Sequence, residues 1–231
     1  MKSDLAKVLH ILNGKPLLHY SLAAAKEASA EKIVVIIGHQ ADKIRNDFSG
    51  SGCIFVEQKP LLGTGHAVLQ AKNVLSDYNG LTVILCGDVP LLKPATIKSL
   101  VDNHLAVKAV VSVLTTIPPS AQGYGRIVKS EKGNVLKIVE ERDATESEKK
   151  IEEINTGIYC VDTKFLFSAL GKVDNNNQQS EYYLTDIVEI ACREGQKVKS
   201  FIASDYIEVM GINTLEELSL AEKYLLQTGN L

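Results

Sequence analysis

The sequence predicts an α/β protein in which a doubly wound sheet carries a β-rich insertion in its second half. Segments with helical periodicity alternate along the chain with short apolar segments of strand length. Two of the apolar segments, residues 32–38 and 81–86, are continuous runs, which are typical of strands covered by helices on both faces of a parallel sheet. The length of 231 residues suits one compact domain, or one domain with a subdomain.

The individual elements follow the same periodicities. In the first half we predict helices over residues 16–25, 41–48, 63–74 and 94–105, and strands over 32–38, 53–56, 81–86 and 109–115. In the second half we predict a hairpin of strands 125–128 and 135–139, strands over 157–161 and 198–203, and helices over 164–170, 184–193 and 214–226. The hairpin is predicted because turn-forming residues fill the segment between its two strands.

Composition excludes several classes of function. The formal net charge is -3, from 25 basic and 28 acidic residues, which gives no support to a role on nucleic acid or on an anionic membrane. Hydrophobic residues at 45% and charged residues at 23% argue against disorder. No apolar run approaches the roughly 20 residues of a membrane-spanning helix, and residues 1–4 do not begin a signal peptide. We therefore expect a soluble, cytoplasmic protein that binds neither nucleic acid nor membrane.

The spacing of cysteines and histidines gives no sign of a zinc centre or a hydrolase. The cysteines are far apart and are expected to be small buried side chains in a reducing cytosol: Cys53, Cys86, Cys160 and Cys192. No histidine lies in an HxxxH or HExxH pattern, and the sequence has no GxSxG nucleophile elbow. His66 stands among small residues at a helix start, where we expect it to serve packing rather than acid–base chemistry.

Two loops that follow predicted strands carry residues suited to a ligand, which in open α/β sheets binds beyond the carboxyl ends of the strands. In the first loop, Gly63-Thr64-Gly65 opens a helix and presents backbone N–H groups that suit a phosphate or a close-lying base. Two glycines before a helix are also common in simple turns. In the second loop, Asp88 follows a buried strand, where it either meets a hard cation and phosphate oxygens or caps the next turn.

A third group of polar residues lies in the second half, in segments 123–127, 139–143 and 153–157. Glu140 and Asn155 fall at strand ends near a glycine turn, a position from which they could hydrogen-bond sugar hydroxyls. The charged run that begins at Glu140 is equally consistent with a solvated face.

Taken in order, these segments form a pattern that is more specific than any one of them. The pattern is KVLH at 7–10, Gln58, LGTGHA at 62–67, GDVPL at 87–91, GYGRI at 123–127, IVE at 138–140, EINTGI at 153–158, EYYLTD at 181–186 and GIN at 211–213. It closely resembles the pyrophosphorylase (uridyltransferase) domain of the bacterial N-acetylglucosamine-1-phosphate uridyltransferase family. The resemblance covers essentially the whole chain.

The resemblance implies a transferase that makes UDP-N-acetylglucosamine and pyrophosphate from UTP and N-acetylglucosamine 1-phosphate, for cell-wall peptidoglycan biosynthesis. It also implies a Rossmann-like nucleotidyltransferase fold, with a mixed, mostly parallel sheet flanked by helices and a β-rich sugar-binding insertion. Within the single domain we expect a nucleotide-binding half at 1–115, a sugar-binding half at 116–213 and a C-terminal helix at 214–231. Self-association into a homo-oligomer is left open.

The resemblance also assigns roles to residues by their positions in the pattern. The nucleotide-binding residues are Lys7, Gln58, Gly63, Thr64, Gly87 and Asp88, of which Gln58 and the turn at 63–64 hold uracil and Lys7 contacts phosphate. The sugar-binding residues are Gly125, Glu140, Asn155, Tyr183 and Thr185. Lys7 and Asp88 are the catalytic residues, and Asp88 and Asn213 ligate the Mg²⁺ that bridges the phosphates. Because the sugar phosphate attacks the α-phosphorus in line, the protein has to position substrates and neutralise charge.

Two departures from the family pattern bear on activity. The family begins with a strand and a glycine-rich loop, Leu-Ala-Ala-Gly-x-Gly-Thr-Arg-Met, whose backbone and arginine grip the UTP phosphates, and Met1 aligns with its final Met. Ala6 stands where the family usually has proline. We therefore expect a poor catalyst of low stability, with unpaired edges on the neighbouring strands and either disorder over residues 2–9 or a partner chain over the gap. Acetyl transfer is not expected, because the family's hexapeptide-repeat domain would follow residue 231.

Two other functions remain open. One is a pyrophosphorylase for another sugar 1-phosphate, such as glucose 1-phosphate. The predicted sugar-binding residues favour the N-acetyl sugar instead, but only through the resemblance to the family. The other is a catalytically silent binder of sugar nucleotides, or an assembly partner. Turnover with a panel of sugar 1-phosphates separates the first, and binding of UDP-N-acetylglucosamine without pyrophosphate release indicates the second.

Overall fold

A computed structural model describes residues 4–228, in which helices and strands alternate as predicted. The strands are β1 (Ile11–Leu12), β2 (Lys15–Pro16), β3 (Val34–Ile37), β4 (Ile54–Glu57), β5 (Leu81–Ile84), β6 (Val111–Thr116), β7 (Arg126–Lys129), β8 (Val135–Val139), β9 (Ile154–Asp162) and β10 (Val198–Ile202). The helices are α1 (Leu17–Glu27), α2 (Ala41–Asp47), α3 (Thr64–Leu69), α4 (Lys72–Leu75), α5 (Pro94–Val107), α6 (Thr163–Leu170), α7 (Asp186–Arg193) and α8 (Leu215–Thr228). None of these helices combines the length and apolar character that a membrane span requires.

The central sheet has six strands and is mixed, as predicted. Its order is β10-β6-β9-β7-β8, with β5 also paired to β9. β10 is parallel to β6, β9 is antiparallel to β5, β6 and β7, and β7 and β8 form the predicted antiparallel hairpin. Because β9 runs against β5 and β6, its first residues lie at the edge of the sheet where β5 and β6 end.

Helices cover both faces of the central sheet. Val113 of β6 and Tyr159 of β9 pack with α6 and α7 in one buried cluster. Leu114 and Ile158, their neighbours along the strands, pack with α1 and α5 in another. This alternation follows the twofold periodicity of strand side chains and gives the doubly wound arrangement that the apolar runs indicate.

Strands β3 and β4 form a separate parallel pair. Within residues 4–228, β3 pairs only with β4 and β5 only with β9, so each of β3 and β5 has an unpaired edge, as expected. Val34, Val35 and Ile36 are half-buried, and Ile37 is the one residue of β3 that is fully buried. The prediction that residues 32–38 are buried on both faces is therefore wrong for most of the strand. The unpaired edge of β3 leaves its backbone and side chains partly exposed.

The prediction of disorder over residues 2–9 is wrong for the described part of that segment. Lys7–Leu9 form a 3₁₀ helix, and Ala6 and Leu9 are buried in an apolar cluster with Ile37. The backbone N–H of Ala6 donates to Oε1 of Gln40 at 2.9 Å. Apolar burial and this hydrogen bond hold the segment against β3 and α2, while residues 2 and 3 lie outside the described residues.

The helix predicted over residues 63–74 is interrupted between α3 and α4. The side-chain Nε2 of Gln70 donates to the carbonyl oxygen of His66 at 3.0 Å, and the backbone N–H of Gln70 turns to the carbonyl of Ala67. In a regular helix that backbone N–H bonds four residues back, so the side chain competes with the ladder and the helix breaks. The division of the chain at 115/116 and 213/214 stays a prediction.

Candidate active site

A carboxylate, a side-chain amide and a lysine meet near the end of β5. The Nζ of Lys7 donates to Oδ2 of Asp88 and, at 2.6 Å, to Oδ1 of Asn213. The Lys7 and Asp88 side chains remain 37% and 23% exposed, so a ligand can reach them. One cationic atom therefore touches a carboxylate oxygen and an amide oxygen, the donor types that Mg²⁺ takes from proteins. The contact joins parts of the chain that are far apart in sequence, and the role of Asp88 as a cation ligand stays a prediction.

Two glycines give the space that this cluster needs. A Cβ added to Gly87 would lie 3.1 Å from Cγ1 of Val8, tighter than ordinary contact, so Gly87 lets the 3₁₀ helix that carries Lys7 approach the loop after β5. A Cβ on Gly211 would lie 3.4 Å from Oδ2 of Asp88. Gly211 therefore keeps a side chain away from the carboxylate, and Gly87 keeps one away from Val8.

Glu217 fixes the backbone that carries Asn213. Its Oε2 accepts the backbone N–H groups of Asn213 and, at 2.9 Å, Thr214, and Oγ1 of Thr214 accepts the N–H of Glu217 at 3.1 Å. This is a capping box at the start of α8. Because Ala221 and Leu225 of α8 are buried in an apolar cluster, the box ties the Asn213 ligand to a packed helix.

The predicted uracil-binding residues are brought together. The Nε2 of Gln58 donates to the carbonyl oxygen of Gly63 at 3.0 Å. Gly63 has φ of 103°, and a Cβ there would lie 2.7 Å from the carbonyl oxygen of Tyr182, so the turn accepts only glycine. His66 contacts the side chains of Gln58 and Gln70, in agreement with a packing role.

Hydrogen bonds join this loop to the segment that carries two sugar-binding residues. The N–H of Gly65 donates to the carbonyl of Tyr182 at 2.7 Å, and the N–H of Leu184 donates to Oγ1 of Thr64 at 3.0 Å. Thr185 is the next residue along the chain. The predicted nucleotide-binding and sugar-binding residues therefore adjoin on one surface.

Four of the five predicted sugar-binding residues converge. A Cβ on Gly125 would lie 3.5 Å from Oε2 of Glu140 and 3.6 Å from Cβ of Asn155. The N–H of Asn155 donates to the carbonyl of Gly125 at 2.9 Å, and Oγ1 of Thr185 donates to Oε1 of Glu140 at 3.1 Å. Three strand ends and the segment before α7 thus meet at these four residues.

The fifth residue, Tyr183, is held by groups that the sequence did not single out. Its hydroxyl donates to Oδ2 of Asp143 at 3.2 Å and accepts from Nε2 of Gln179 at 2.8 Å. Asp143 also accepts the N–H of Gln178 at 3.0 Å. The solvated-face interpretation is wrong for Glu140 and Asp143, which are half-buried in this network, because folding turns them inward.

Burial and neighbouring charge raise the pKa of two carboxyl groups beside the pocket. Burial is the largest cause for Glu140, and the hydrogen bond from Thr185 partly opposes the rise in its pKa. The pKa of Asp186 rises to about 6, first through burial and then through nearby acidic side chains, of which Asp174 is the strongest. Glu140 and Asp186 are therefore acidic groups whose surroundings disfavour their ionised forms.

Tyr124 connects the sugar pocket to the cation-binding residues. It precedes Gly125 in the chain, and burial raises its pKa, with the negative charges of Glu217 and Asp88 as further causes. Its phenol thus lies in the field of groups from the cation site. Tyr124 belongs to the GYGRI motif, but nothing in the sequence assigns a function to a tyrosine at this position.

The glycine turn at 63–65, the oxygens of Asp88 and Asn213 and the predicted sugar-binding residues thus lie on loops and strand ends of one α/β fold. The sequence model of the Nucleotidyl transferase family matches residues 2–223. The chain therefore belongs to this family.

Among curated relatives, the chain is similar to proteins named "Bifunctional protein GlmU". It is 44% identical over 231 residues to the protein of Geobacter metallireducens, covering 100% of this chain and 48% of the relative. It is 44% identical over 230 residues to that of Desulfotalea psychrophila, covering 100% of this chain and 68% of the relative. The chain thus spans about half the length of most curated relatives reported in this comparison.

The fold is also found in a solved structure described as UDP-glucose pyrophosphorylase complexed with UDP-glucose. The TM-score is 0.74 at 17% sequence identity, over 96% of this chain and 90% of that protein. At this identity the likeness supports the nucleotidyltransferase fold alone.

Proposed function

We propose that this chain transfers a uridylyl group from UTP to N-acetylglucosamine 1-phosphate, giving UDP-N-acetylglucosamine and pyrophosphate. The observation that carries the proposal is the meeting of Lys7, Asp88 and Asn213 beside a polar pocket. In the reaction, a phosphate oxygen of the sugar 1-phosphate forms a bond to the α-phosphorus of UTP, and the bond from that phosphorus to the pyrophosphate oxygen breaks. No covalent intermediate on the protein is required.

Binding of the nucleotide is assigned to the loops after β4 and β5. Gln58, Gly63 and Thr64 lie together and offer amide and backbone groups to the edge of uracil. Gly87 and Asp88, which follow β5, are assigned to the phosphates, to which Lys7 would contribute a positive charge. Positioning both substrates in this way converts a reaction between two molecules into one within a single complex.

Mg²⁺ is assigned to Asp88 and Asn213, whose oxygen atoms already converge on one cationic atom. When bound there, Mg²⁺ would neutralise phosphate charge in the transition state. Lys7 would then release the two oxygens and turn to the phosphates. Two protein ligands are in keeping with the habit of Mg²⁺ of completing its octahedron with phosphates and water.

Recognition of the sugar is assigned to the converging residues Gly125, Glu140, Asn155, Tyr183 and Thr185. Glu140 and Asn155 supply hydrogen-bonding groups for hydroxyl or acetamido substituents. The raised pKa values of Glu140 and Asp186 support binding of an uncharged sugar ring there, with the phosphate directed toward Lys7.

A pyrophosphate-release assay with UTP and a panel of sugar 1-phosphates, with Mg²⁺ and with EDTA, tests the proposal. We expect Mg²⁺-dependent turnover that is fastest with N-acetylglucosamine 1-phosphate. Calorimetry with UDP-N-acetylglucosamine accompanies it, because binding without turnover would support the catalytically silent alternative.

A second candidate is a pyrophosphorylase for glucose 1-phosphate. The fold likeness to a protein described as UDP-glucose pyrophosphorylase favours its inclusion in the panel. Faster turnover with glucose 1-phosphate would establish this alternative. We also propose that the protein is cytoplasmic, contributes to peptidoglycan synthesis and associates with copies of itself.

A further inference from the structure

The buried Arg126 and the half-buried Glu141 form an ion pair beside the predicted sugar-binding residues Gly125 and Glu140. We propose that these two side chains are positioning residues that set the spacing between Gly125 and Glu140. This inference rests on the proposed function of the pocket. It assigns to Arg126 and Glu141 no contact with substrate.

The contacts of Arg126 join the two sides of the pocket. Its Nη2 lies 2.7 Å from Oε2 of Glu141, and its Nη1 donates to the carbonyl oxygen of Tyr124. Tyr124 is the residue before Gly125, and Glu141 is the residue after Glu140. One guanidinium therefore holds the residues that flank both pocket positions.

The strand ladder cannot supply this constraint. The pairing of β7 with β8 ends at Arg126 opposite Val139. Gly125 and Glu140 are each one residue beyond that last pair, where the two chains are free to separate. The Arg126–Glu141 pair is the described side-chain link that spans this opening.

Burial makes the link specific. The Arg126 side chain is 3% exposed, its Nε has no hydrogen-bond partner within residues 4–228, and Oε2 of Glu141 takes part in the ion pair without an aligned hydrogen bond. A buried charge pair is poor evidence of stabilisation, because desolvation offsets much of its attraction. An imperfectly satisfied guanidinium is therefore better explained by the geometry it imposes than by the stability it adds.

Glu140 has to keep its place relative to Gly125 and Asn155 to read a sugar substituent. The carbonyl of Gly125 already accepts the N–H of Asn155, which ties the start of β7 to the start of β9. The Arg126–Glu141 pair links the start of β7 to the residues that follow β8. Its loss should thus displace Glu140 and leave the uracil loop untouched.

The test compares binding of UDP-N-acetylglucosamine and of UMP by calorimetry in the chain and in the double variant Arg126→Met/Glu141→Leu. The double variant removes both charges together, so neither is left buried and unpaired. We expect its Kd for UDP-N-acetylglucosamine to rise about tenfold, since small misplacements in a site are costly. Its Kd for UMP should stay within about twofold of the unmodified chain.

Arg126→Lys provides a second variant, because lysine keeps the charge but lacks the planar fork that reaches two partners. It should show the same selective loss if the double variant does not fold. Lys129→Met is the control, since it removes an ion pair made by the residue at the other end of β7 and should leave both Kd values unchanged.

Equal Kd values for UDP-N-acetylglucosamine in the chain and the variants would overturn the inference alone. Equal losses for UMP and UDP-N-acetylglucosamine would also overturn it, since they indicate a general structural role. If the unmodified chain fails to bind UDP-N-acetylglucosamine, the proposed function fails and this inference fails with it.

Discussion

The Nζ of Lys7 lies 2.6 Å from Oδ1 of Asn213, although the two residues are 206 positions apart in the chain. The same ammonium group contacts Asp88, so a lysine stands between two oxygens assigned to a cation. Lys7 thus has two potential partners, the protein's own oxygens and the phosphates of a nucleotide. Which partner it takes depends on what else occupies the site.

Lys7→Met should strengthen binding of a divalent cation when no nucleotide is present, because the ammonium no longer competes for Asp88 and Asn213. The pair is partly exposed, so we expect Mn²⁺ to bind roughly two- to fivefold more tightly. Electron paramagnetic resonance of free Mn²⁺ measures this, with the exposed Lys15→Met as control. Affinity for UTP should fall in the same variant, and unchanged affinities for both would remove Lys7 from the site.

Asp88→Asn should raise the Mg²⁺ concentration needed for half-maximal activity and lower kcat by about 10²–10³ in the active enzyme. The amide keeps the shape of the carboxylate but loses its charge. Pyrophosphate release across a Mg²⁺ titration measures both effects. The exposed Asp102→Asn is the control, and a rate equal to that of the unmodified enzyme would contradict the assignment of Asp88.

Glu140→Ala and Asn155→Ala should each raise KM for the sugar 1-phosphate and change KM for UTP little. Both residues lie beside Gly125, while the predicted uracil-binding residues stand on another loop. Initial rates with each substrate varied in turn measure the two constants. Parallel increases in both KM values would instead indicate a structural role.

Asp186→Asn should remove a pH dependence of stability. The pKa of Asp186 is about 6 in the folded chain, raised first by burial and then by neighbouring acidic groups, against an ordinary value of 3.8. Because the folded state holds this proton more tightly, its contribution to stability is complete below about pH 4 and is lost as the pH rises through 6.

Partial exposure screens the effect, so we expect Asp186→Asn to be more stable than the unmodified chain by about 1 kcal/mol at pH 7.5. The two chains should converge near pH 4. Urea unfolding at several pH values measures the difference, with the exposed Asp77→Asn as control. A constant difference at all pH values would show that the ionisation of Asp186 is not its cause.

The strands could be predicted where β-branched residues follow one another, and less well where polar residues or very short segments form strands. β6 is buried along its whole length and its sequence is typical of a strand. β9 begins at Ile154, three residues before the predicted strand, because Ile154 and Asn155 pair with Thr116 and Thr115 of β6 on the far side of a register shift. β1 and β2 have two residues each, too few for a readable period.

The motifs identified the predicted sugar-binding residues. The side chains that hold those residues in position mostly could not be identified from the sequence. Asp143 stood in a charged run, and only the folded chain brings it to Tyr183. Arg126 likewise meets Glu141 through the hairpin. Glu217 is the exception, since Thr-x-x-Glu before an apolar helix is a local capping signal that the sequence carries.

With Asn213 as a ligand of the proposed cation, the capping box at the start of α8 would link cation affinity to helix formation thermodynamically. Glu217 grips the backbone of Asn213, so every local opening of α8 releases a ligand, and by reciprocity each bound cation opposes that opening. Amides as far along the helix as Leu225 should then exchange with deuterium more slowly in Mg²⁺. Deuterium exchange of the α8 amides would thus measure whether a cation occupies the proposed site.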